Sequence, residues 1–191
     1  MTAATAANKL PIKPVRLPAD LRAIKPGELP VYLLKPIRPY GMLHPLAAQA
    51  WEAMRKAAHR DGIRPFKPTS TFDTYRTLIV QERGFLARYT TAPIQTTSVR
   101  TYKGVKYYLK PGMAPMATPG TSVHNLALAV DVSEASGDRL AWMLKNCLDY
   151  GFCWELQSEP WHIRYYTAES VPDKVQQFVR EHADGNLGGA D

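Results

Sequence analysis

Apolar and small residues alternate along Ala127-Leu128-Ala129-Val130-Asp131-Val132, which is the two-residue period of a strand. Leu128, Val130 and Val132 would face a core. Ala127, Ala129 and Asp131 would share the other face, where two alanines leave room beside a carboxylate. The same period runs through Trp161-His162-Ile163-Arg164-Tyr165, with His162 opposite Trp161 and Ile163. Residues 152–155 read as a further strand. Residues 97–102 and 105–109 read as a hairpin turning at Lys103-Gly104. Its Tyr102, Tyr107 and Tyr108 would either line a groove or pack across the strands.

Helical spacing marks four other stretches. Residues 46–59 bring Leu46, Ala50, Met54 and Ala57 to one face, with Pro45 in the first turn and Gly62 as the stop. Residues 72–87 follow a Ser70 or Thr71 cap, with Leu78, Ile79, Phe85 and Leu86 inward and Arg76 in the first turns. Residues 139–149 bury Leu140, Met143, Leu144, Cys147 and Leu148 and end at Gly151. Residues 167–182 form a last helix with Val171, Val175 and Phe178 inward.

Length and charge narrow the picture. The 191 residues suit one domain with ample chain for a core, and 45% hydrophobic with 21% charged residues is ordinary for a globular protein. No run of about 18 apolar residues exists to span a membrane. The N-terminus lacks the apolar stretch of about 7–15 residues that an ordinary secretory signal needs. The net charge of +7 is uneven: residues 1–40 hold seven basic and two acidic side chains, and residues 41–191 hold 17 and 15. Seven prolines in residues 1–40 forbid a long helix there. The domain reading is therefore a basic proline-rich arm (1–40), a main domain (41–184) and a disordered Gly-rich tail (185–191), with the first fifteen or so residues mobile. The arm is either a contact for an anionic wall or membrane surface or a solvated basic segment. With no helix-turn-helix and no Cys/His pairs at zinc-finger spacing, no nucleic-acid partner is expected. Cys147 and Cys153 are expected to be reduced and structural.

The candidate chemistry lies in Ser122-Val-His124, Asp131 and Glu159-Pro-Trp161-His162. Two histidines and a carboxylate can hold a zinc ion and leave a position open for water, and Glu159 supplies a general base three residues before the second histidine. His124 is seven residues from Asp131, an odd offset that would point the two apart on a straight strand. The chain should therefore bend near Asn125, with His124 in the entering loop. Pro160 keeps Glu159 outside the strand proper, where it can reach over the metal. Trp161 reads as a packing residue.

The pattern Ser-x-His-x6-Asp followed by Glu-x-Trp-His resembles the zinc D-Ala-D-Ala carboxypeptidases and L-Ala-D-Glu endopeptidases of peptidoglycan, in the superfamily that also holds lysostaphin and sonic hedgehog. Tyr75-Arg76-Thr77 with Gln81 resembles the family's Ser-Gly-Tyr-Arg-Ser…Gln segment, and Pro119-Gly120 its approach to the first histidine. The likeness runs over residues 46–166. It implies an α+β fold, with a small central antiparallel sheet that carries the zinc site and is flanked by helices. It implies one Zn2+ per chain on His124, Asp131 and His162, and Glu159 and Arg76 as catalytic groups, the arginine opposite the metal. Arg76 and Gln81 are implied in substrate binding. Ser122 either holds substrate or orients His124. Two departures stand out. Ala127 replaces a usual glycine, tolerable on an extended backbone, and Asp73-Thr74 replaces Ser-Gly, altering the wall near the arginine.

The resulting expectation is a monomeric metallopeptidase cutting an amide bond in the peptide stem or cross-bridge of peptidoglycan. The style is that of a phage endolysin, made in the cytoplasm and acting on the wall after holin or lysis release. A D-Ala-D-Ala carboxypeptidase or dipeptidase is the enzymatic alternative. A zinc-stabilised wall-binding domain without activity is the other, and Glu159 with Arg76 argue against it.

Overall fold

A computed structural model describes residues 9–182. Twelve regular elements, apart from short 3-10 turns, are present among them. Strands β1 (Lys35–Pro36) and β2 (Met42–Leu43) pair and lead into helix α1 (Pro45–Arg60); α2 (Leu78–Arg88) runs into β3 (Tyr89–Thr90). Then come β4 (Val99–Tyr102), β5 (Val105–Leu109), β6 (Ala129–Asp131), α3 (Gly137–Asn146), β7 (Phe152–Trp154), β8 (His162–Tyr165) and α4 (Asp173–Glu181). The strands form three small antiparallel sheets, ordered β1-β2, β3-β5-β4 and β6-β8-β7. The expected α+β architecture, with a small antiparallel sheet flanked by helices, is the one observed.

The main core lies between β6-β8-β7 and α1. Trp51 stacks on Phe66 with centroids 5.4 Å apart, and Phe66 meets Trp142 edge-on. Leu128, Val130 and Val132 are buried as their alternation requires, with Trp154, Ile163 and Tyr165. Burying each such large apolar side chain stabilises the fold by about 1.5–3 kcal/mol. A second, smaller core of Phe85, Tyr89 and Leu109 holds β3-β5-β4 against α2, with Tyr102 and Tyr107 packed on it. Those two tyrosines thus do the cross-strand packing. The hairpin turns at Lys103-Gly104, both at positive φ (50° and 77°), as a two-residue turn with the twist of its strands demands.

Residues 9–40 are woven into this core. Leu10, Leu21, Leu29, Leu33 and Ile37 are buried in it. The segment expected to be mobile is pinned from Leu10 onward: Leu10 N–H donates to Gln157 Oε1 (2.9 Å), Trp154 N–H donates to Pro11 O (3.2 Å), and Ile12 bridges Trp154 at the free edge of β7. Residues 1–8 and the tail expected over 185–191 lie outside the described residues.

Two helices start later than their periodicity suggests. Residues 71–73 form a separate 3-10 turn capped by Ser70, and α2 begins only at Leu78, capped by Thr77 Oγ1 accepting from Val80 N–H. Between them the backbone bonds outward, with Tyr75 N–H to Met42 O, Arg76 N–H to His124 O and Leu78 N–H to Gly27 O. These tertiary bonds replace the helical ladder. Ile79 is consequently 71% exposed and Leu86 exposed, while Gln81 and Phe85 face inward. Helix α4 starts after Pro172, because residues 167–171 turn back on themselves with Ala168 at φ 50°. No described helix is long and apolar enough to cross a membrane.

Candidate metal centre and active-site cleft

The sheet register assembles the centre. In the β6–β8 pair Asp131 lies directly opposite His162, so the two side chains share a face and meet at 2.7 Å (Oδ1 to Nδ1). His124 arrives from the expected bend, a 3-10 turn at Val123–Leu126. Ser122 caps that turn, its Oγ accepting from His124 N–H at 3.3 Å. The turn ends at Ala127, which is left-handed at φ 56°, ψ 31°. The backbone there is not extended, contrary to the sequence expectation. The tight reversal that sends the chain into β6 requires the left-handed residue, and only glycine adopts it freely. His124 Nε2 then lies 3.3 Å from Asp131 Oδ2, and the two imidazoles are 5.0 Å apart.

The outer nitrogen of each imidazole is taken. His124 Nδ1 is 2.8 Å from the carbonyl of Thr74, which can only accept, so Nδ1 donates there and Nε2 is the nitrogen turned toward Asp131. His162 Nε2 is 2.9 Å from Glu155 Oε2, and the other Glu155 oxygen accepts from Arg164 at 3.0 Å. Both inward nitrogens are thereby presented to a common point with an Asp131 oxygen. One donor atom from each of the three residues lies within 4.8 Å of the others. A carboxylate and two imidazoles, each imidazole oriented by an outer partner, fit a divalent cation. Without one, burial lowers the His162 pKa, but the bonds to Asp131 and Glu155 outweigh it and raise it to about 9. Burial likewise pushes Asp131 up, yet its bonds to His124 and His162 hold it well below the usual carboxylate range.

The other expected residues gather around this centre in one cleft of about 900 Å³. Arg76, Gln81, Ser122 and Glu159 all line it. Arg76 is clamped: Nε donates to Phe72 O (3.0 Å), Nη1 to Gln81 Oε1 (2.9 Å), and Nη2 lies 3.5 Å from Asp73. Burial lowers its pKa from arginine's ordinary value, with Asp131 and Asp73 opposing. Gln81 is fully buried and also donates to Ala117 O (2.9 Å), joining α2 to the loop before the first histidine. Glu159 sits half-buried on the wall, its carbonyl accepting from His162 N–H at 3.0 Å. Trp161 is not packed away; it is 43% exposed at the cleft, because Pro160 and the turn before β8 direct it outward.

Sequence reasoning gave no site role to Glu155, Arg88 or the Thr74 carbonyl. Glu155 is placed by strand register. Trp154 pairs with Ile163 across β7–β8, so the next residue falls beside His162. Thr74 acts through its carbonyl, which no side-chain pattern reveals.

The family model for VanY, D-alanyl-D-alanine carboxypeptidase, matches residues 41–168. The chain belongs to this family. It is thus one of the peptidoglycan peptidases, as the two metal motifs implied. Among solved structures, VanYB in complex with D-Alanine-D-Alanine is 22% identical with a TM-score of 0.50, the match covering 80% of this chain and 88% of that one. A mutant of the D,D-pentapeptidase VanY from a VanB-type vancomycin resistance cassette, in complex with Zn(II), is 21% identical with a TM-score of 0.49, over 81% of this chain and 89% of that one. No curated protein sequence matches the chain.

Proposed function

We propose that this VanY-family chain is a zinc peptidase that removes a C-terminal D-alanine from the peptide stem of peptidoglycan. The observation that carries the reading is the single cleft uniting the His124-Asp131-His162 donor set with Glu159 and the clamped Arg76. His124, Asp131 and His162 would hold a zinc ion, which would supply a Lewis acid and make a water at the site easier to deprotonate. Glu159 accepts the proton of the attacking water and returns it to the leaving amine. Arg76, already aligned by Gln81, Asp73 and the Phe72 carbonyl, offers its remaining N–H groups to the oxygen where negative charge develops. Ser122 keeps the His124 turn in place.

A second reading is an internal cut in the stem or cross-bridge, in the manner of a phage lysin acting after release at lysis. The cleft of about 900 Å³ leaves room for chain on both sides of the scissile bond, which an internal cut requires. Mass spectrometry of peptidoglycan and soluble muropeptides, with and without a chelator, separates the two. Chelator-sensitive release of free D-alanine supports the carboxypeptidase. New amino termini inside the stem support the lysin. Zinc-loaded protein that yields neither product from walls of several chemotypes sinks both.

A further inference from the structure

One face of α2 is a wall of the cleft. Gln81, Gly84 and Arg88 recur at helical spacing and all line it. At about 1.5 Å per residue, Arg88 stands roughly 10 Å along the helix from Gln81, which clamps Arg76. Gly84 between them lets the opposite wall approach, since a Cβ there would lie 3.0 Å from Met116 Cε.

The two arginines differ in compensation. Arg76 is bonded by Gln81 and the Phe72 carbonyl and sits beside Asp73. Arg88 pairs with no carboxylate among the described residues, yet it is close enough for its charge to be felt at Arg76. No Asp or Glu occurs from Arg83 to Val130, and among the described residues the carboxylates that share the cleft, Asp73, Asp131 and Glu159, do not pair with it. An uncompensated guanidinium on a cleft wall matches a carboxylate in both charge and planar two-donor geometry.

We propose that Arg88 is a specificity-determining anchor that binds a carboxylate of the peptide substrate. The assignment rests on the peptidase reading. That carboxylate is either the C-terminus of the stem or the free carboxylate of an acidic stem residue.

The test uses the zinc-reconstituted full chain and three pentapeptides of sequence Ala-Glu-Lys-Ala-Ala in stem stereochemistry: unmodified, amidated at the C-terminus, and amidated at the glutamate. Binding is followed by stopped-flow tryptophan fluorescence before turnover, with Trp161 at the cleft as reporter. Hydrolysis is followed in parallel. Arg88→Ala should weaken binding of the unmodified peptide on the order of 10- to 100-fold. KM should rise accordingly with kcat little changed, and Arg88→Lys should recover part of the loss. One amidated peptide should bind wild type and Arg88→Ala equally, and that peptide identifies the carboxylate. The proposal is overturned if Arg88→Ala, with unchanged melting temperature and zinc content, binds all three peptides as wild type does. Weakening by one common factor, or wild type that binds none of them, also overturns it. Arg88→Gln, which keeps most of the side-chain stem, separates loss of charge from loss of packing. Failure of the peptidase reading appears elsewhere, as wild type that binds these peptides without chelator-sensitive cleavage of any.

Discussion

The two three-stranded sheets of this molecule are built from similar lengths of chain and treat charge in opposite ways. In β6-β8-β7 the charged groups of the strands are paired: Asp131 with His124 and His162, and Glu155, just past β7, with His162 and Arg164. In β3-β5-β4 the strand cations Arg100 and Lys106 are exposed, and an ion pair at its edge joins Lys103 to Glu82. Residues 83–130 carry six basic side chains and no acidic one, a second block of positive charge beside that of residues 1–40. A reacting centre needs charges that are already held in place, because reorganising them during the reaction adds to the barrier. A surface that meets an anionic substrate needs the opposite, an uncompensated field. The first sheet rests on the large core around Trp51, the second on three buried side chains.

The largest effects should come from breaking the first sheet's centre. Glu159→Ala should retain zinc and lose turnover by about 10²- to 10⁴-fold, the usual worth of a positioned general base. His162→Ala should lose both, since it removes a donor and leaves Asp131 and Glu155 without their shared partner. Metal analysis beside a D-alanine release assay distinguishes them, and full activity in Glu159→Ala would falsify the assignment of the base.

The second sheet should break at its small core. Phe85 is fully buried, stacked on Tyr89 at 4.5 Å and edge-on to Tyr107 at 5.2 Å. Phe85→Ala should cost about 3–5 kcal/mol of stability. Hydrogen exchange should show amides of β4 and β5 opening while β8 stays protected. Uniform loss of protection would mean that the two cores unfold as one. A subtler change tests the pairing logic: Glu155→Gln keeps a hydrogen-bond acceptor for His162 but removes the charge. Zinc affinity in a competition titration should fall by about 10- to 100-fold, with turnover retained at saturating metal.

The contrast also explains what could be read from the sequence. Alternation in residues 127–132 and 161–165 is local, so the faces of Asp131 and His162 were legible, as was the bend that frees His124. The turn at Lys103-Gly104 was equally local. Pairing is not. Glu155 reaches His162 only because β7 lies in one particular register beside β8, and a strand pattern does not carry register. The late start of α2 was hidden for the same reason. Residues 74–78 have acceptable helical propensity, but their amides and carbonyls are used by Met42, His124 and Gly27, up to some fifty positions away. Arg88 lay one residue past the helix read over 72–87; only the fold puts it on α2 with its face bordering the cleft.

The smallest expected effect concerns Ala127, where two opposing terms nearly cancel. Its left-handed backbone costs an L-residue roughly 1–2 kcal/mol. Ala127→Gly would relieve that cost. Against it stand the loss of a buried methyl, about 0.8 kcal/mol, and the extra freedom glycine gives the unfolded chain, about 0.4–1 kcal/mol. The net should be within about 1 kcal/mol of wild type, read as a nearly unchanged denaturation midpoint. Ala127→Val is the informative partner. Its branched side chain meets the same left-handed backbone in a site with no exposed surface, so strain and overpacking add instead of cancelling. If Gly and Val variants were equally stable, the turn that delivers His124 would not depend on a left-handed residue, and the bend would have to be set by the Ser122 cap and the Asn125–Arg76 bond alone.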